Sequence, residues 1–171
     1  VGGEQAVREP WRVAVALLEA AGAGELIERL PMAGRVDASR LETVRGLARQ
    51  AGGSSWPRAS GAGRLLEAGG ALLGLVVRNS WEGEAAARLE ALAGAAADLP
   101  GRTDPWPEVR LGTDASGRPQ LPGGRLLAAA AERLARGERL EQVAAGLHGA
   151  FCRLARGLSR LVFPPGVTAV G

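Results

Sequence analysis

Residues Ser60 to Ala93 read SGAGRLLEAGGALLGLVVRNSWEGEAAARLEALA. The stretch predicts a helix from about Ser60 to Leu75, a break, and a second helix opened by Ser80-Trp-Glu-Gly-Glu84. Ser60, Gly63, Glu67, Gly70, Ala71 and Gly74 recur at helical spacing and share one face. A face of small residues lets another group approach the backbone closely. Each interior glycine costs about 1 kcal/mol against alanine, so packing or ligand contact must offset it. Two readings follow. A ligand lies on this face, with Glu67 accepting hydrogen bonds from ribose hydroxyls or an amine. Alternatively, another helix packs there and Glu67 pairs with an arginine such as Arg64. The pattern alone favours packing.

At the break, Asn79 is placed to cap the second helix, with Glu82 completing a capping box. Trp81 then serves as the hydrophobic staple, and Ala85, Leu89, Leu92 and Ala93 form the buried stripe. A helix N-terminus attracts anions, but Glu82 and Glu84 already supply negative charge there. The self-capped helix is therefore favoured over an anion site.

Toward the N-terminus, Pro10 opens a helix after acidic Glu9. Trp11, Val15 and Leu18 share its apolar face, widened by Val13, Ala14 and Leu17, until Gly22 and Gly24 break it. A turn from Glu25 to Leu30 ends at Pro31. Asp37 or Ser39 caps the next helix, whose Leu41, Val44 and Leu47 face inward. It stops near Gly52-Gly53, and a loop from Ser54 to Arg58 carries Trp56-Pro57. Toward the C-terminus, residues 99–107 are proline-rich and irregular. Val109 to Leu111 and Arg118 to Leu121 read as a β-hairpin around Thr113 to Gly117, stopped by Pro122-Gly-Gly. A helix from Arg125 to Arg136 ends at Gly137. A longer one from Leu140 to Val162 carries Leu140, Val143, Leu147, Phe151, Leu154, Leu158 and Leu161 as a core-facing seam. The expected class is mainly α with one hairpin.

The chain has 171 residues, 46% of them hydrophobic, enough for one sizeable core. All 21 basic residues are arginine and the net charge is only +3. The pI of 10.7 reflects the absence of Lys and Tyr, which would titrate near pH 10, rather than a strongly basic surface. Arg153, Arg156 and Arg160, beside leucines at helical spacing, read as a solvated face. No aromatic interleaves with the basic residues, which argues against a nucleic-acid partner. One cysteine, Cys152, excludes an internal disulfide and a Cys-based metal site; it reads as a small packed residue. The single His148 cannot build a metal site with residues of its own kind, and reads as a structural, hydrogen-bonded side chain. No Ser/His/Asp set is readable, so no catalytic residue is assigned. The glycine pairs match neither a P-loop nor a dinucleotide fingerprint. Asp114 to Gly117 holds too few acids for calcium. No apolar run reaches membrane-spanning length, so the expectation is a reducing, cytoplasmic setting without a membrane partner. The chain opens Val1-Gly-Gly-Glu and closes Pro164-Pro-Gly-Val-Thr-Ala-Val-Gly171. Both ends read as the middle of something, so residues 1–171 are expected to be a single partial domain, truncated at both ends.

Several blocks carry a family likeness. Val1-Gly-Gly-Glu followed by Arg8-Glu-Pro-Trp-Arg12 and Val15-Ala-Leu-Leu18 resembles the carbamoyltransferase HypF family. Gly63-Arg-Leu-Leu-Glu67 and Ala71-Leu-Leu-Gly-Leu75 are similar to that family's Ser-Ser-x-Gly-Arg-Leu-Phe-Asp-Ala-Val-Ala-Ala-Leu-Leu-Gly helix. Ser80-Trp-Glu-Gly-Glu-Ala-Ala-Ala87 and Leu89-Glu-Ala-Leu-Ala93 follow its Tyr-Glu-Gly-Gln-Ala-Ala and Leu-Glu-Ala-Leu-Ala runs. Val143-Ala-Ala-Gly-Leu-His-Gly149 resembles its Ile-Ala-Ala-Arg-Phe-His run. The order and spacing of the blocks agree across nearly the whole chain.

The resemblance implies the central part of an actin-like ATPase (ASKHA-type) α/β domain related to the threonylcarbamoyl-transferases. It implies an enzyme that passes a carbamoyl group from carbamoyl adenylate, made with ATP, to a cysteine of the partner HypE during nickel–iron hydrogenase maturation. A metal, iron or zinc, would be held by residues outside this chain. Glu67 stands where the related family has an Asp on the acyl-adenylate, and Gly83 lies near the glycine closing over that ligand. Ser60 and Arg64 match motif positions of the same helix and are candidates for the same nucleotide site, without an assigned role. The alternative is a non-catalytic structural or docking subdomain, or a divergent inactive homologue.

Overall fold

The computed structural model describes residues 3–50, 61–96, 106, 108–114 and 116–162. The Trp56-Pro57 loop, Ser60 and the closing Pro164 to Gly171 run lie outside them.

A short helix α1, Glu4–Arg8, leads into α2, Trp11–Ala20, which Pro10 opens from the N-cap position. Pro10 lacks an N–H that would have no partner there anyway. Trp11, Ala14, Val15 and Leu18 are buried on one face of α2. Two 3-10 turns, Gly24–Arg29 and Ala33–Arg35, follow. Helix α3, Ala38–Gln50, buries Leu41 and Val44, while Leu47 is only partly covered. Of the two candidate caps, Asp37 does the work: its Oδ1 accepts the Arg40 N–H at 3.0 Å.

The decisive stretch forms α4, Ala62–Leu72, and α5, Glu84–Ala95. The first is shorter than its pattern predicts, because Gly74 sits beyond the helix at φ +72°, a backbone state L side chains rarely adopt. Arg35 Nη1 donates to the Gly74 carbonyl, capping the exit of α4 from another element. The predicted glycine face is therefore split. Gly63 has open space around it, Gly70 lies against the Ala85 carbonyl, and Gly74 packs on Pro31. Helix contact explains Gly70, as the packing reading requires.

Two antiparallel strands, β1 Gly112–Thr113 and β2 Pro119–Gln120, make the hairpin; β2 is shorter than expected, and β1 lies past the expected Val109 to Leu111, taking in Thr113 from the expected turn. Asp114 Oδ1 accepts the N–H groups of Ser116 and Arg118 across its turn. Helix α6, Gly123–Ala135, takes Gly123 and Gly124 into its first turn instead of ending the hairpin with them. It stops before Gly137, at φ +83°. Helix α7, Leu140–Val162, has the predicted bounds. Its seam buries Val143, Leu147 and Leu154, but Leu140 is exposed and Leu161 is 61% exposed. The seam outruns the core because no described element covers the last turns of α7.

Contacts run round a closed ring, α2 to α4 to α5 to α7 to α6 and back to α2, with α3 laid against α2. One apolar core fills it, anchored by Trp11, Leu18, Leu72, Leu89, Leu127 and Leu147. The described structure is thus mainly α with one hairpin, and no described helix is long and apolar enough to cross a membrane. Two further expectations fail. Cys152 is exposed rather than packed, since α7 turns that side outward. Arg153 does not belong to a solvated face: its Nη2 donates at 2.8 Å to the carbonyls of both Trp106 and Val109, tying α7 to the segment before the hairpin.

Candidate functional site

The turn between α4 and α5 is built round two side chains. Glu67, in the middle of α4, is 3% exposed. A buried carboxylate must be hydrogen-bonded or its desolvation destabilises the fold. Its Oε2 accepts Arg64 Nη1 at 2.5 Å, one helical turn earlier. Its Oε1 accepts Asn79 Nδ2 at 3.0 Å and the Gly83 backbone N–H at 3.2 Å. Gly83 holds φ +86°, which frees its N–H to point back at Glu67 as α5 begins.

Asn79 is the second centre. Its backbone N–H donates to the Arg8 carbonyl at 2.8 Å, and Nδ2 also reaches the Val7 carbonyl at 3.1 Å. Its Oδ1 accepts the Ala85 N–H at 3.2 Å. Asn79 therefore satisfies one N–H of the first turn of α5, but from outside the N-cap position, which Gly83 holds. Glu84, not Glu82, reaches back, its Oε2 accepting the Ser80 N–H at 2.7 Å. The helix starts later than the Asn79–Glu82 spacing requires, with Gly83 at its N-cap, so the reciprocal capping box does not form: the Glu84 N–H goes to the Trp81 carbonyl at 3.3 Å. Glu82 points outward, 4.0 Å from Arg64. Trp81 is 54% exposed and staples nothing, because the αL turn at Gly83 swings it away from α5.

Arg64, Glu67 and Gly83 are thus brought into one hydrogen-bonded network; Ser60, the other residue assigned to this site, lies outside the described residues. A separate open cleft of about 560 Å³, between the end of α2, the hairpin and the start of α6, does not include them.

A second polar cluster lies at the α1–α2 junction. Glu9 is 2% exposed. Arg12 Nε donates to its Oε2 at 2.7 Å, and Arg40 Nη2 stands 2.8 Å from both oxygens. Arg78 Nη1 is 3.6 Å away. Burial pushes the Glu9 carboxyl up, but hydrogen bonds from Arg40, Arg12 and Gln5 outweigh it and bring the pKa down from 4.5 to about 2. The guanidiniums of Arg12 and Arg40 lie 5.2 and 5.9 Å from the centroid of the Trp11 ring. Sequence reasoning missed both Asn79 as a hub and Glu9 as an ion centre. The Glu9–Arg12 spacing of three was visible; Arg40 and Arg78 arrive only through tertiary folding.

His148 Nδ1 stands 4.0 Å from Cys152 Sγ, one turn along α7. Among the described residues no three His, Cys, Asp or Glu side chains converge, so the described part of the chain offers no metal cage.

The family description "Carbamoyltransferase, Kae1-like Domain, second subdomain" matches residues 1–163. The chain is 37% identical over 160 residues to a carbamoyltransferase HypF of Rhodobacter capsulatus, covering 90% of the chain and 18% of that relative. It is 39% identical over 99 residues to carbamoyltransferase HypF2 of Cupriavidus necator, covering 54% of the chain and 11% of the relative. A HypF of Rhizobium leguminosarum bv. viciae is 37% identical over 90 residues, 53% of the chain and 11% of the relative. The chain therefore spans under one fifth of the length of these relatives. No solved structure gives a significant match.

Proposed function

This chain belongs to the carbamoyltransferase HypF family, matching the second subdomain of its Kae1-like domain, and on that footing we propose that it forms one wall of a carbamoyl-transfer site. In this reading the whole protein moves a carbamoyl group from carbamoyl adenylate to a cysteine of a HypE-type acceptor. The subdomain sits within an actin-like ATPase domain in a cytoplasmic enzyme of nickel–iron hydrogenase maturation. The rest of the parent polypeptide supplies the other walls, and the iron or zinc is held by its residues. The adenylate made with ATP brings the activated carbonyl.

The observation that carries the reading is Glu67 gripping the Gly83 N–H while Arg64 and Asn79 hold Glu67. A carboxylate so fixed keeps the α4–α5 turn in one shape. In that shape Arg64, 26% exposed, offers its remaining guanidinium donors to a nucleotide lying across the turn, and Gly83, without a side chain, lets that nucleotide approach the backbone; Ser60 is assigned to the same site. The role of this chain is to bind and orient; no catalytic residue is assigned to it. In the full-length protein, Glu67→Gln keeps the size but sets an amide N–H against a donor, which loosens the turn. It should lower carbamoyl transfer by at least about tenfold when measured on folded protein well below its melting temperature. Unchanged transfer with a native melting curve would sink the reading.

A second reading, a structural or docking subdomain, is favoured by one specific fact. Three donors of the chain already occupy the two Glu67 oxygens, with Gly70 filled by the Ala85 carbonyl. It requires that Glu67 variants lose stability while retaining turnover. Both readings set nucleic acid aside as a partner, and a steep salt dependence of RNA binding would reopen it.

A further inference from the structure

Glu9 sits among more positive charge than it can neutralise. Arg12, Arg40 and Arg78 all bring a guanidinium within 4 Å of this one buried carboxylate. Asp37 is the other carboxylate acting on Arg40, and its Oδ1 is already taken by the Ser39 hydroxyl and the Arg40 N–H. Cations still outnumber anions with Asp37 counted. The other multi-arginine networks described are not short of carboxylates: Arg45 and Arg49 meet Glu19, Glu28 and Glu42, and Arg133 and Arg136 meet Glu108 and Glu138.

The excess is turned outward. Glu9 is buried, but the Arg40 side chain is 48% exposed and that of Arg78 is 65% exposed. Arg40 is held in place from two sides, by both Glu9 oxygens and by the Trp11 ring. Arg78 leans on Glu9 only at 3.6 Å, so most of its donors point elsewhere. Neighbouring guanidiniums repel, and an oxyanion between them relieves that repulsion. The fork of an arginine matches phosphate oxygens in pairs.

We propose that Arg40 and Arg78 form a binding site for a phosphate-type oxyanion, with Glu9, Arg12 and Trp11 orienting Arg40. The site borders the Glu67 network in the chain. Arg78 directly precedes Asn79, whose N–H bonds the carbonyl of Arg8, the residue before Glu9. It does not depend on Glu67 touching a nucleotide, and stands or falls separately.

The test is equilibrium binding of inorganic phosphate, and in parallel of AMP, to the full chain at about 0.1 M ionic strength, read by calorimetry and tryptophan fluorescence. The expected result is saturable binding that weakens at least about tenfold in Arg78→Gln and falls as salt rises. Arg88→Gln, on the exposed side of α5, serves as the control and should bind as the parent does. Arg78 is exposed, so the melting curve of its variant should match the parent. AMP binding more tightly than phosphate identifies the source as a nucleotide; equal affinity identifies free phosphate, and either supports the site. Binding that does not saturate, or that Arg78→Gln leaves within about twofold of the parent, overturns it.

Discussion

The side-chain nitrogen of Asn79 donates to Glu67 Oε1 at 3.0 Å and to the Val7 carbonyl at 3.1 Å, so one carboxamide ties α4 to α1. Its oxygen holds the first turn of α5 through the Ala85 N–H. Three helices thus depend on one loop residue, and the turn that carries Arg78, Trp81 and Gly83 has little freedom to move.

Replacing Asn79 by Ala should therefore cost about 2 kcal/mol, the loss of an acceptor for the first turn of α5 plus a buried carboxylate oxygen left short of a donor. Urea unfolding monitored by circular dichroism would show it as a lower midpoint with an unchanged slope. Asn79→Asp should be no better at neutral pH, because it sets a second carboxylate against Glu67. A variant as stable as the parent would mean that the hub contributes nothing.

The two glycines of the α4 pattern should respond in opposite directions. A methyl at position 70 would overlap the Ala85 carbonyl, and backbone cannot yield as a side-chain tip can. Gly70→Ala should cost upward of about 2 kcal/mol by forcing α5 off α4. At position 63 nothing lies within 4 Å of the added carbon. Gly63→Ala should stabilise by roughly 0.5–1 kcal/mol through helix propensity. Equal effects at both positions would contradict the packing described.

Glu9 sets an acid limit on stability. Its folded pKa, about 2, lies below the ordinary 4.5. A depressed carboxylate contributes stability that is complete above the unfolded pKa and is lost as pH falls through the folded one. Unfolding free energy should decline between about pH 5 and pH 2, by up to about 3 kcal/mol from this group. Glu9→Gln should flatten that part of the profile while lowering stability at neutral pH. A Glu9→Gln profile parallel to that of the parent would remove Glu9 as the cause.

Cys152 is open to solvent on α7. One thiol per chain should react with a disulfide reagent under native conditions, without denaturant. Reaction that requires unfolding would show that the side chain is covered.

Helix α7 was legible to the residue, because its apolar residues recur at three and four over many turns. Its far end was not. Leu158 and Leu161 continue the period, but burial needs a partner element, and nothing along the chain says where partners stop. Helix α4 shows the same limit in another form. Gly74 fits the helical face in sequence, yet its positive φ and the contact with Pro31 place it outside the helix. At the α5 start, Asn79 was readable as an acceptor for the first turn, whereas the N-cap position and the choice between Glu82 and Glu84 depended on where the αL turn at Gly83 fell.

Local pattern was enough for the helical class, the hairpin, the family blocks and the pairing of Glu67 with Arg64, since each rests on residues a few positions apart. Tertiary structure chose the rest. It put Asn79 between Glu67 and Val7, gathered Arg40 and Arg78 on Glu9 from positions far apart in the chain, and drew Arg153 onto the carbonyls of Trp106 and Val109. These contacts satisfy charges and polar groups that folding strips of water. Which partners do so depends on which surfaces the core brings together, and the spacing of residues along the chain does not encode that.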